Sequence, residues 1–126
     1  MPKAQFRRKA RALQRLGEEN MLFKAINPVR PRDQNRRRAH QQDLIRRIHR
    51  QYGQRNPDFS RRLISRITNA RDMQLDHVHE LQLGGADLRN NLRYLDAFTN
   101  REVGNQIRQQ IRNLPDGTPI RIRIIE

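Results

Sequence analysis

Between Asp76 and Asn100 the chain gathers the residue types that hydrolysis of a phosphodiester requires. Asp76-His77 sets an imidazole, which accepts a proton near neutral pH, beside a carboxylate, which binds hard cations. His79 and Glu80 continue the run, and Asn90-Asn91 and Asn100 follow with carboxamide oxygens. Arg89, Arg93 and Arg101 flank it with guanidiniums of the kind that fork onto phosphate. Each has an ordinary explanation when taken singly. An Asp-His pair can simply end a strand, Asn90-Asn91 can make a turn, and Asn100 can satisfy a helix start. Acting together, such groups could hydrolyse a phosphodiester, with water deprotonated by an imidazole while a cation neutralises the phosphate.

Residues 76–105 read DHVHELQLGGADLRNNLRYLDAFTNREVGN and resemble the HNH nuclease motif, a ββα finger that holds one metal ion. The motif's Asp-His, glycine loop, Asn-Leu and helical His or Asn fall on Asp76-His77, Gly84-Gly85, Asn91-Leu92 and Asn100. The resemblance implies His77 as general base, Asp76 and Asn100 as ligands of one divalent ion, and Asn91 as a brace that keeps His77 oriented. Mg²⁺ is the expected ion, with Mn²⁺, Zn²⁺ or Ni²⁺ as alternatives. His79 and Glu80 are further substrate or metal-shell candidates, as are Arg89, Arg93 and Arg101 for phosphate. The second, structural zinc of many HNH proteins has no counterpart, because Asp96 and Thr99 stand where a CxxC pair would fall. Asn100 in place of His is a second departure from the usual pattern.

The longer string that ends at Ile107 resembles the HNH-like toxin domains at the C-terminal ends of bacterial polymorphic toxins, including Rhs and type VI secretion effectors. The features carrying this likeness are Glu80–Gly85, Leu95-Asp96, Asn100-Arg101, Gly104 and Ile107. It implies a DNase delivered as part of a larger carrier, acting in the cytoplasm of a target cell, and neutralised by a cognate immunity protein. A phage or mobile-element endonuclease is the alternative context.

The elements that must position these residues are legible from periodicity. Lys3 to Leu16 can form a helix, and Met21 to Asp33, with two prolines, reads as an extended linker or docking strand. Leu44, Ile45, Ile48 and Tyr52 predict a helix over about 36–54, and Asn56-Pro57 starts another with Phe59, Leu63, Ile64 and Ile67 inward. Alternation predicts a strand at Met73–Val78, and Asn91–Leu95 reads as a second short strand. Asp96 is the expected cap of a helix to about Asn113, with Phe98, Val103, Ile107, Ile111 and Leu114 inward. TPIRIRIIE predicts a C-terminal strand over 118–125 that closes an edge. The expected fold is α+β: a basic extension over 1–35, then a nuclease domain over 36–126. That domain comprises helices (36–70), a ββα-metal core (72–114) and the final strand.

Charge sets the partner class. Residues 1–70 carry 19 Lys and Arg against 5 Asp and Glu, or 19 − 5 = +14, whereas 71–126 carry 8 of each and balance. All the cations except Lys3, Lys9 and Lys24 are arginine. A polyanion such as DNA is the partner this distribution fits, with affinity that falls as salt rises. There is no cysteine, which excludes disulfides, thiolate metal sites and thiol nucleophiles. No apolar run approaches the roughly 20 residues of a membrane span, and the basic N-terminus lacks a signal peptide's apolar stretch. A basic binding module with a non-catalytic finger is the competing function, and a ribonuclease the further one.

Overall fold

In the computed structural model, which describes residues 2–26 and 33–125, three helices precede a strand, a long loop, a second strand and a fourth helix. They are α1 (Lys3–Glu18), α2 (Gln34–Tyr52), α3 (Pro57–Thr68), β1 (Met73–His77), β2 (Leu92–Asp96) and α4 (Ala97–Ile111). The arrangement is mixed α+β, and β1 and β2 form a two-stranded antiparallel sheet. The starts of the last two helices follow the expected signals, and that of α2 has a cap of its own. Asp33 accepts from Asn35 N and Arg36 N to open α2, so that helix begins two residues before the expected position. Asn56 caps α3 with Pro57 in its first turn, where a missing N–H costs nothing. Asp96 accepts from Thr99 N at 2.9 Å and opens α4.

The main core lies between α1 and α4, where Leu13, Leu22, Leu83, Val103, Ile107 and Ile111 meet. Phe6, Leu16, Ile120 and Ile122 pack around them. The stretch expected to be an extension thus supplies core residues. Met21 to Ile26 of the expected linker is described, and residues 27–32 of it lie outside the described residues. Phe23 N donates to Leu83 O and Ala25 N to Gln82 O, which docks this extended piece onto the loop after β1. Lys24 is buried, and its ammonium donates to Arg112 O and Leu114 O, closing the C-terminal end of α4.

Two expectations are corrected. Phe98 is 50% exposed, and Leu114 lies beyond the helix end at 36% exposure. The cap explains the first. Asp96 bonds both the N–H and the hydroxyl of Thr99, drawing that residue fully inside. The buried stripe then runs Thr99, Val103, Ile107, Ile111, and Phe98 is rotated about 100° away from it. The second correction concerns 118–125, which forms no ladder strand. Its sheet-like pairing is an isolated bridge between Phe23 and Pro119. Gly117, at φ 81°, turns the chain into the bridge, which the bonds from Lys24 N to Thr118 O and from Ile120 N to Leu22 O flank on either side. Ile120, Ile122 and Ile124 still turn inward while Arg121 and Arg123 face out, so the alternation survives without the ladder.

Candidate active site

The register of the sheet decides what stands beside what. Successive strand residues point to opposite faces, so Gln74 and Asp76 share one face of β1 and Leu75 and His77 the other. Asn100, in the first turn of α4, donates its amide N–H to Gln74 Oε1 at 2.9 Å. Asp76 and Asn100 are therefore brought to the same face of β1. Arg93 pairs directly with Asp76 across the sheet and shares this face, with its side chain exposed. His77 is carried to the other face.

Both residues of the Asp-His pair are buried, and each has a charged partner from far away in sequence. The Lys9 ammonium lies 2.7 Å from Asp76 Oδ2 and 2.8 Å from Glu80 Oε1, with all three side chains largely shielded from water. It also donates to the carbonyl of His77 at 2.5 Å. Lys9 is thus wrapped in oxygen, which is the condition for burying a cation. Glu80, expected near substrate, is one wall of that cage. On the other face, His77 Nε2 lies 2.8 Å from Asp87 Oδ1. Asp87 in turn accepts from Asp33 N at 2.8 Å and is approached by the Arg36 guanidinium at 3.5 Å. The His77 hydrogen bond, then the Asp33 N–H and the Arg36 charge, hold the Asp87 carboxyl below its usual range against the opposing effect of burial.

The loop that delivers Asp87 is tied by Asn91. Its Oδ1 accepts from His79 N at 2.8 Å, and its Nδ2 donates to His79 O at 2.9 Å and Ala86 O at 2.8 Å. Asn90 is exposed, so the clamp is Asn91's alone of the pair. The loop's tightness also depends on glycine. A Cβ on Gly85 would sit 1.8 Å from His79 O, and Gly84 takes the left-handed φ of 91°. His79 is spent inside this loop, with its backbone on Asn91 and its ring nitrogen 2.9 Å from Leu83 O. Arg89 pairs with Asp43 of α2, and Arg101 is exposed on α4. The Asp43 carboxyl is held low by hydrogen bonds from Arg46 and Arg89.

The donor set bears on the expected metal. Among the described residues no group of three or more His, Cys, Asp or Glu is gathered for one ion. The fitting set is mixed: the Asp76 carboxylate and the Asn100 carboxamide oxygen on one face, whose hardness suits Mg²⁺ completed by water. Lys9 takes one Asp76 oxygen, which matches the way ligating carboxylates are commonly held by a neighbouring donor. Gln74 occupies the Asn100 nitrogen and so fixes which end of that amide is the acceptor.

Sequence reasoning missed Lys9, Gln74 and Asp87. Lys9 carried a signal: it falls three residues after Phe6 and four before Leu13, on the apolar face of a helix, where an ammonium needs anionic partners. Asp87 did too, as the only acidic residue between Glu80 and Asp96. No helix among the described residues is long and apolar enough to cross a membrane. Comparison with protein-family models, curated proteins and solved structures finds no match, so a functional reading of this site rests on its own residues.

Proposed function

We propose that the chain is a metal-dependent endonuclease that hydrolyses DNA phosphodiesters without marked sequence choice, with β1, β2 and α4 as its ββα-metal core. The observation that carries this is the bond from Asn100 to Gln74, which shares its face of β1 with Asp76, with the intervening loop tied by Asn91. Asp76 and Asn100 hold the ion. When bound, a divalent cation supplies charge neutralisation at the phosphate and the leaving oxygen. His77 accepts the proton of the attacking water, and Asp87 holds its imidazole through Nε2 until substrate enters. Arg93 and Arg101, both exposed, are the phosphate contacts nearest these groups in sequence.

His77 is only 3% exposed, so in this reading substrate entry displaces the 86–89 stretch. Arg36, bonded to Asp87, is the natural exchange point, because a phosphate competes with a carboxylate for a guanidinium. Faster amide exchange at 86–89 when an oligonucleotide binds is the expected signature; unchanged exchange counts against this entry route.

The deciding experiment is supercoiled plasmid cleavage by wild type and His77→Ala, each with Mg²⁺ and with EDTA. Cleavage by wild type with metal alone supports the nuclease. Intact plasmid throughout, with Mn²⁺, Zn²⁺ and Ni²⁺ also tried, leaves a basic binding module. A parallel digest of total RNA separates DNase from RNase. The resemblance of residues 76–107 to effector toxins carries the accompanying proposal of an antibacterial domain with an immunity partner and a larger carrier. Growth arrest on expressing wild type but not His77→Ala is its test.

A further inference from the structure

The pairing at the Phe23–Pro119 bridge stops at Ile120, whose N–H donates to Leu22 O. Beyond it the neighbouring chain turns away: Asn20 takes a left-handed φ of 61°, and Met21 N donates to Leu16 O at the end of α1. Residues 121–125 therefore run on over that helix end, where a Cβ on Gly17 would sit 3.2 Å from Arg121 Cα. No backbone hydrogen bond joins them to another described residue. An extended stretch whose N–H and C=O groups are unpaired is a template for a further strand.

Its two faces differ. Arg121 and Arg123 are exposed, and no ion pair among the described residues uses either. Beneath the segment a groove of about 520 Å³ is lined by Leu13, Ile107, Ile111, Leu114 and Ile122 among others, and its lining holds no charge except those two arginines. Ile125, 84% exposed, continues this apolar lining at the surface.

We propose that residues 121–125 are a docking edge on which a partner protein adds an extended acidic segment as a strand. Residues of that segment on the outer face lie opposite Arg121 and Arg123, where carboxylates are favoured, and the alternate ones, apolar, point to the groove. A second copy of this chain would instead set arginine against arginine. A nucleic acid would engage the guanidiniums but leave the backbone groups and the isoleucines uncovered. The edge uses none of residues 76–100, so the proposal is independent of the nuclease reading.

The test titrates the full chain into a fluorescein-labelled peptide of about eight residues that alternates Glu and Val, followed by anisotropy, with amide exchange read at 121–125. Binding should slow exchange there about tenfold. Two further copies of the peptide carry N-methyl groups on the Glu or on the Val residues. Only alternate N–H groups of a strand face its neighbour, so one copy should bind at least about tenfold weaker and the other should not. Arg121→Gln with Arg123→Gln, both exposed, should weaken binding about threefold to tenfold, whereas Arg50→Gln with Arg55→Gln should change it less than about twofold. Equal affinity of all three peptides, or equal losses from the two arginine pairs, reduces the effect to general charge attraction and overturns the edge. So does an absence of binding at about 1 mM peptide. Protection of 121–125 by a DNA duplex that displaces the peptide gives the face to nucleic acid, and protection that rises with protein concentration alone gives it to a second copy; either overturns the proposal.

Discussion

Replacing Lys9 by Met keeps the length and the apolar stem of the side chain but deletes its ammonium. Two carboxylates, Asp76 and Glu80, then face each other in a site where their side chains are only 7% and 12% exposed. The His77 carbonyl loses its short donor as well. Removing one partner of a buried ion pair costs about 3–5 kcal/mol, because the other charge is left uncompensated. Here two charges are left, so the upper part of that range applies. Domains of this size have about 5–15 kcal/mol of stability, and the change corresponds to a melting temperature lower by roughly 10–20 °C. Urea unfolding at pH 7, followed by far-UV circular dichroism, measures it. The companion variant Lys9→Met/Asp76→Asn/Glu80→Gln removes the stranded charges along with the ammonium and should recover more than half of the loss. A Lys9→Met protein within about 1 kcal/mol of wild type would show that the ammonium compensates nothing, and the reasoning would fail. A triple variant no more stable than Lys9→Met would locate the cost in packing instead.

Asn91→Ala deletes three hydrogen bonds within the 79–91 loop and should cost about 1–3 kcal/mol in the same urea assay, whereas Asn90→Ala should stay within about 0.5 kcal/mol. Gly85→Ala drives a Cβ into His79 O and should abolish plasmid cleavage while leaving the helical circular dichroism largely in place; wild-type cleavage would refute the close approach. Asp87 has its carboxyl pKa depressed in the folded protein, chiefly by the His77 hydrogen bond. Its contribution is therefore present above the unfolded value of about 3.9 and lost as pH falls through the lower folded value. The stability difference between wild type and Asp87→Asn should be full at pH 6 and shrink on acidification below about pH 4; a constant difference would exclude that linkage.

The order of elements could be read from the sequence because each carried a local signal. Asp33, Asn56 and Asp96 cap helices through their own side chains, and β1 alternates apolar and polar residues from Met73 to Asp76. Phe98 could not be placed, because hydrophobicity is blind to a Thr99 drawn inward by its cap. The C-terminal alternation predicted the side that Ile122 faces but not the absence of a ladder, which depends on where a partner edge lies. Asp76, Asn91 and Asn100 were singled out through the resemblance to the HNH motif. Their supports were not: Lys9 reaches Asp76, 67 positions further along the chain, only because α1 packs on α4, a long-range fact that no local window contains.

The same contacts change what the basic half of the chain is for. A view of residues 1–35 as a detachable basic arm assigns all their charge to DNA. Lys9 and Lys24, however, are spent inside the protein, one on Asp76 and Glu80 and the other on the end of α4. Leu13 and Leu22 lie in the main core. A chain beginning at residue 36 would leave Asp76 beside Glu80 without the ammonium and would expose Val103, Ile107 and Ile111. Such a chain should neither fold stably nor cut, however well its arginines attract DNA. The cations left at the surface are the exposed arginines outside these contacts, Arg38 among them. Charge in this half therefore does two separate jobs. A few buried cations set the geometry around Asp76 and α4, and the exposed ones are those that, on the proposed nuclease reading, bring a polyanion to it.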